Sequence, residues 1–216
     1  MKKILLLILT VALVFGALSL TSCDRDYDEA EVKKAAKKLI ADSAVLNEIF
    51  WGDGLPYIDD KNTSEGAYYM AFEAYHYQLG FKTIDELKSM AAKTFSKGFC
   101  RSINSTMFAA IDDGTETVIS RYYQKVSAAD GITPEYIMVN STWEQELYGE
   151  VSYDYDSLKV IGSEDDTVYV TLNATVTLDD LEPQTRELRI ALVEEDDGWR
   201  IDSPTYLNYV KTNLNK

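Results

Sequence analysis

An α+β fold, with N-terminal helices packed on a curved antiparallel sheet, is what this sequence predicts, and three observations predict it. Apolar residues recur at three- and four-residue steps between Val32 and Phe50, a capping box opens a second helical stretch at Thr83, and beyond Gly114 the apolar period changes to two. Helices followed by a run of hairpin-linked strands segregate into α+β architectures, whereas strict alternation would give parallel βαβ units.

The first helix follows from its stripe. Val32, Ala36, Leu39, Ser43, Leu46 and Phe50 fall on one side, and Lys33, Lys34, Lys37 and Lys38 fall mostly on the other, the pattern of an amphipathic surface helix. Asp28, Glu29 and Glu31 suit its electropositive start, and Gly52 with Gly54 stop it. The lysine cluster reads as a solvated helix face. Residues 52–64 are rich in turn formers, and the carboxylates of Asp53, Asp59 and Asp60 lack the spacing of an EF-hand loop. The aromatic stretch Ala67 to Phe72 fits a strand or the start of a helix, and periodicity does not decide between them.

Thr83-Ile84-Asp85-Glu86 has the capping-box spacing, in which the Thr hydroxyl accepts the backbone N–H three residues on and Glu86 reaches back. Ile84, Leu87, Met90, Ala91 and Phe95 form the apolar face of the helix it starts. Gly98 is expected to end or kink that helix before a further helical turn through Ile103. Strands are expected at Ile119 to Val126, Tyr136 to Asn140, Ser157 to Ile161, Val168 to Leu178, Glu187 to Glu194 and Trp199 to Asp202. The plainest is the fourth, where Val168, Val170, Leu172, Ala174, Val176 and Leu178 alternate with Tyr169, Thr171, Asn173, Thr175 and Thr177, so one face is buried and the other is not. Glu164-Asp165-Asp166 and Asp196-Asp197-Gly198 read as hairpin turns.

The N-terminus supplies an address. Lys2 and Lys3 precede an uncharged, predominantly apolar run from Ile4 to Leu18, and Leu20-Thr21-Ser22-Cys23 closes it, which is the layout of a bacterial secretion signal. The run falls short of the about 20 apolar residues that span a bilayer. The tripeptide before Cys23 resembles the lipobox of bacterial lipoproteins. That resemblance implies cleavage before Cys23, diacylation of its thiol, and anchorage to the outer face of the cytoplasmic membrane or another envelope membrane. The expected organisation is a signal peptide over 1–22, a lipidated tether over 23–28, and a single extracytoplasmic domain over 29–216.

Composition narrows the partners. The chain has 216 residues with 21 basic and 36 acidic side chains. Lys2 and Lys3 belong to the leader, which leaves 19 basic against 36 acidic groups and a net charge of −17. Such a surface repels phosphate backbones and anionic lipid headgroups, so nucleic acid is not an expected partner and basic patches are not the expected anchoring device. Lipidation of Cys23 leaves Cys100 without an intrachain partner, and its sequence context is that of a small buried hydrophobe. His76 is the only histidine, which argues against a histidine-built metal site. No metal and no cofactor are expected, and the sequence holds no nucleophile–base pairing motif that would mark an enzyme. Tyr68, Tyr75, His76, Tyr122 and Trp143 are the candidates for a pocket or an interface, because aromatic side chains supply stacking surface wherever they are not core.

Two helices leading to a long sheet that ends in Asp197-Gly198-Trp199-Arg200-Ile201 resemble the cystatin-like or nuclear-transport-factor-like cone folds. The segment Phe81 to Lys88, with Thr94 to Lys97 leading towards the sheet, is similar to the IseA family of secreted inhibitors of cell-wall D,L-endopeptidases. That resemblance extends over residues 30 to 205 and assigns no inhibitory residue. Together with the lipobox-like N-terminus, it implies a membrane-tethered binding module whose partner is a cell-wall hydrolase or another envelope protein. A small-ligand binder using a cone cavity is the second reading, and a cone-fold enzyme the third.

Overall fold

A computed structural model describes residues 27–61, 64–108, 120–125, 136–147, 149–179 and 181–209. The expected signal peptide, Cys23 and Asp112 to Gly114 lie outside the described residues, as do the ends of the strand expected over Ile119 to Val126. The described chain is α+β, with two antiparallel sheets of three and four strands.

Helix α1 (Glu29–Phe50) opens where Asp28 accepts the backbone N–H groups of Ala30 and Glu31, satisfying donors that the first turn leaves without carbonyl partners. All six residues of the predicted stripe are buried, joined by Ile40, Asn47 and Ile49. The aromatic stretch that follows resolves as a short strand, β1 (Tyr68–Met70), leading into helix α2 (Glu73–Gln78). Helix α3 (Ile84–Thr94) has the predicted capping box, with both reciprocal bonds between Thr83 and Glu86 in place.

The break after α3 is not at Gly98. Phe95 and Ser96 adopt extended backbone, the Ser96 hydroxyl accepts from Phe99 N–H, and helix α4 (Lys97–Met107) begins there with Gly98 inside its first turn. The Ser96 cap ends one helix and starts another, a stronger local signal than the glycine. The extended pair is held by Ser96 N–H donating to the Ile201 carbonyl at 2.8 Å, so the α3–α4 junction covers the last strand.

Strands β2 (Tyr122–Lys125) and β3 (Tyr136–Asn140) join β1 in the order β1-β3-β2. The remaining strands form a separate meander, β4 (Glu150–Glu164), β5 (Thr167–Thr177), β6 (Gln184–Glu195) and β7 (Gly198–Ile201). Val168, Val170, Leu172, Ala174 and Val176 of β5 are buried against the helices together with Leu188, Ile190 and Leu192 of β6. β4 starts well before Ser157, since half-buried Val151, Tyr153 and Tyr155 already alternate with exposed Glu150, Ser152, Asp154 and Asp156. Its register shifts between Asp154 and Lys159 and again between Val160 and Gly162.

Trp199 and Ile201 are buried, as their alternation predicts, but Arg200 is buried as well. Helix α3 covers its face of the sheet, and Arg200 Nε donates to the Ala92 carbonyl at 3.0 Å. At the β6–β7 turn Gly198 has φ +121°, a conformation that favours a residue without a Cβ.

Candidate functional site

The C-terminal end of α1 is where distant parts of the chain meet. A helix end leaves carbonyls that need donors, and here the pair Arg121-Tyr122 supplies them. Arg121 is buried and donates to the carbonyls of Phe50 (2.8 Å) and Gly52 (2.6 Å). The Tyr122 hydroxyl donates to the Ile49 carbonyl at 2.7 Å and accepts from Leu55 N–H at 3.1 Å. A guanidinium at this end also complements the helix dipole. Gly54 has φ +81°, and a Cβ there would lie 2.2 Å from Arg121 Nη2, so this turn needs glycine for both its conformation and its clearance.

The segment around Thr205 is locked onto the same helix by a buried polar network. Ser43 Oγ and Thr205 Oγ1 share a hydrogen bond of 2.7 Å, Asn47 Nδ2 donates to Thr205 Oγ1 at 3.0 Å, and the Tyr153 hydroxyl donates to the Thr205 carbonyl at 2.7 Å. Asn47 and Tyr153 of this network line an open cleft of about 270 Å³ together with Val45, Glu48, Glu150, Val151 and Tyr206. A second hollow of about 400 Å³ shares Glu48 and Glu150 with it and adds Asp53 and Asp179. Beyond Tyr206 lies a third, of about 240 Å³, walled by Trp51, Phe99 and Glu146. Tyr206 packs on Trp51 with ring centroids 5.2 Å apart.

The electrostatics of this face are one-sided. Partial burial, reinforced by the neighbouring charges of Asp53 and Glu150, pushes the Glu48 carboxyl above the ordinary carboxylate range, with Arg121 pulling the other way. Burial lifts Tyr153 to about 12, with Tyr155 adding to the effect, and lifts Tyr206 to about 12, with Glu146 adding there. Both phenols therefore stay protonated at neutral pH. Carboxylates beside phenol faces suit a cationic group, which gains Coulombic attraction from the first and ring attraction from the second.

The residues singled out in the sequence do not converge on this cleft. Tyr122 is fully buried and caps α1. His76 is buried, its Nδ1 3.0 Å from the Phe81 carbonyl and its ring stacked on Phe81, the environment of a packed structural histidine. Tyr68 is half-buried and donates to the Ser120 carbonyl at 2.7 Å. Trp143 is half-buried against the core with Nε1 shielded and lacking a hydrogen-bond partner. Tyr75 is exposed. Cys100 is half-buried, and burial followed by the charge of Glu195 raises its thiol. Among the described residues no three His, Cys, Asp or Glu side chains group so as to hold a metal ion, and Asp53 of the acidic loop contributes instead to the hollow beside Glu48.

Sequence reasoning did not single out Glu48, Glu150, Tyr153 or Tyr206. Each looks like an ordinary surface or strand residue in its own segment, and only packing of α1, β4 and the C-terminal segment unites them. Among the described residues no helix is long and apolar enough to cross a membrane. Compared with protein-family models, with curated proteins and with solved structures, the chain matches none.

Proposed function

We propose that this protein is a lipid-anchored extracytoplasmic binding module whose acidic, tyrosine-lined cleft captures a basic partner at the cell envelope, foremost a wall-remodelling hydrolase. The observation that carries the reading is the convergence of Glu48, Asp53, Glu150 and Asp179 with Tyr153 and Tyr206 at one end of α1. A net charge of −17 beyond the leader extends the same field over the molecule and would steer a basic protein towards it. The lipobox-like Leu20-Thr21-Ser22-Cys23 supports tethering through Cys23, and the IseA-like pattern supports inhibition as the outcome. The same reading takes the helices and sheets as a cone-type domain.

The test adds the purified protein to envelope D,L-endopeptidases and follows wall hydrolysis. Inhibition that weakens with added salt, and is lost on Glu48→Lys with Glu150→Lys, is expected; undiminished hydrolysis at low salt rejects the hydrolase partner. Fractionation of cells carrying Cys23→Ser tests the tether, because release from membranes is expected. The cleft also favours a second reading. Its volume of about 270 Å³ lies near the lower end of small-molecule sites, about 300 Å³. A small cationic compound that raises the melting temperature, with no effect on hydrolysis, would select that alternative.

A further inference from the structure

The lysine cluster of α1 borders a concavity. Lys33, Lys34 and Lys37 line an open concavity of about 450 Å³ against Tyr155 and Asp156 of β4. Lys33 pairs with Glu29 at 2.6 Å, and Lys38 pairs with Asp42. Among the described residues no carboxylate lies within ion-pairing distance of Lys34 or Lys37, both of which are exposed. Lys34 and Lys37 thus place two exposed cations on one helix face beside a tyrosine wall.

We infer that this concavity is a docking surface for anionic phospholipid headgroups, which fixes the orientation of the domain on the membrane that holds it. The inference rests on the proposed lipid at Cys23. Tyr27, where the described chain begins, is four residues on from Cys23, at most about 14 Å of extended chain. A tether that short keeps the first turns of α1 at the headgroup layer, whatever the net charge of the domain. Screening acts over about 8 Å at physiological ionic strength, so at that range the charges of α1 and β4 themselves govern the contact: Lys33 and Lys38 are paired with Glu29 and Asp42, which leaves Lys34 and Lys37 against Asp156 of the concavity and Glu31 of the first turn. Phosphate groups would accept from Lys34 and Lys37, with Asp156 as the opposing charge that limits how deeply they enter.

Each basic side chain held near an anionic surface multiplies the docked-to-undocked ratio about fivefold, so Lys34 and Lys37 together favour the pose about twenty-five-fold. The experiment reconstitutes the full lipidated protein in vesicles of phosphatidylcholine alone or of phosphatidylcholine mixed equally with phosphatidylglycerol. An amine-reactive ester then labels exposed lysines, read by mass spectrometry. On anionic vesicles, labelling of Lys34 and Lys37 should fall severalfold and recover at high salt, while exposed Lys82 and Lys93 stay unchanged. In the Lys34→Glu, Lys37→Glu variant the protection should disappear at Lys33 too. Equal labelling on both vesicle types overturns the docking surface and leaves the anchor standing. Protection by soluble poly(glycerol phosphate) on neutral vesicles, without protection by phosphatidylglycerol, overturns the bilayer as occupant. A protein that does not stay with neutral vesicles overturns the anchor reading, and the docking surface with it.

Discussion

Tyr122 condenses the logic of the α1 terminus into one side chain. Its hydroxyl serves two buried backbone groups, the Ile49 carbonyl and the Leu55 N–H, and its ring is fully enclosed. Tyr122→Phe keeps the ring and strands both backbone groups, so a loss of about 1 to 3 kcal/mol is expected in urea unfolding. A loss near zero would mean that neither bond contributes in solution. Glu48 gives the opposite case, a residue whose folded environment disfavours its charge. Its pKa rises on folding, so the native state holds that proton more tightly than the unfolded state. The associated stability is fully present below the ordinary glutamate value and is lost as pH rises through the raised native value. Glu48→Gln should therefore raise stability at neutral pH, by less than about 1 kcal/mol because the side chain is largely in solvent, and should flatten the profile between those two values. A variant less stable than the parent at pH 7 would show that Glu48 is held by an attraction stronger than the repulsion from Asp53 and Glu150.

At the scale of elements, the α3 start is the clearest meeting of sequence and structure. Thr83 accepts from Glu86 N–H at 3.2 Å while the Glu86 carboxylate takes the Thr83 N–H at 3.3 Å, so Thr83→Ala should cost about 1 kcal/mol, measured by thermal unfolding. A Thr83→Ser variant that restores the loss would assign it to the hydroxyl. Features of this kind were legible because they are local. The capping box, the α1 stripe, the alternation of β5 and the Asp197-Gly198 turn each depend on residues within a few positions of one another. What was not legible depends on contacts across the chain. Gly98 looks like a helix end, yet Ser96 makes the break, because its N–H is claimed by Ile201. The β4 start is obscured by tyrosines alternating with acids, which lack the aliphatic alternation of β5 and are recruited into the sheet by pairing with it. Arg121 precedes a strand and gives no sign that it caps a helix some seventy positions earlier. The cleft belongs to the same class, since its walls come from α1, β4 and the segment around Thr205 and Tyr206.

The whole molecule is governed by its excess of carboxylates, and this makes salt a discriminating variable. From Cys23 onward 36 acidic groups face 19 basic ones, so compaction works against self-repulsion. The ion pairs that could offset it, such as Lys125 with Glu65 at 2.5 Å and Lys97 with Asp196 at 3.6 Å, join side chains open to solvent and contribute about 0 to 1 kcal/mol each. Raising sodium chloride from low to physiological strength shortens the Debye length to about 8 Å, which weakens long-range repulsion between carboxylates more than close pairing. The melting temperature is therefore expected to rise with salt. A fall would mean that the surface pairs outweigh the net charge. Capture of a basic partner should respond in the opposite direction, because the same screening removes the steering field. One titration of sodium chloride, read by melting temperature and by association rate together, separates the two effects. Stability that rises while association slows fits an acidic module acting by charge. Association indifferent to salt would place recognition on an apolar surface and take the acidic cleft out of the mechanism.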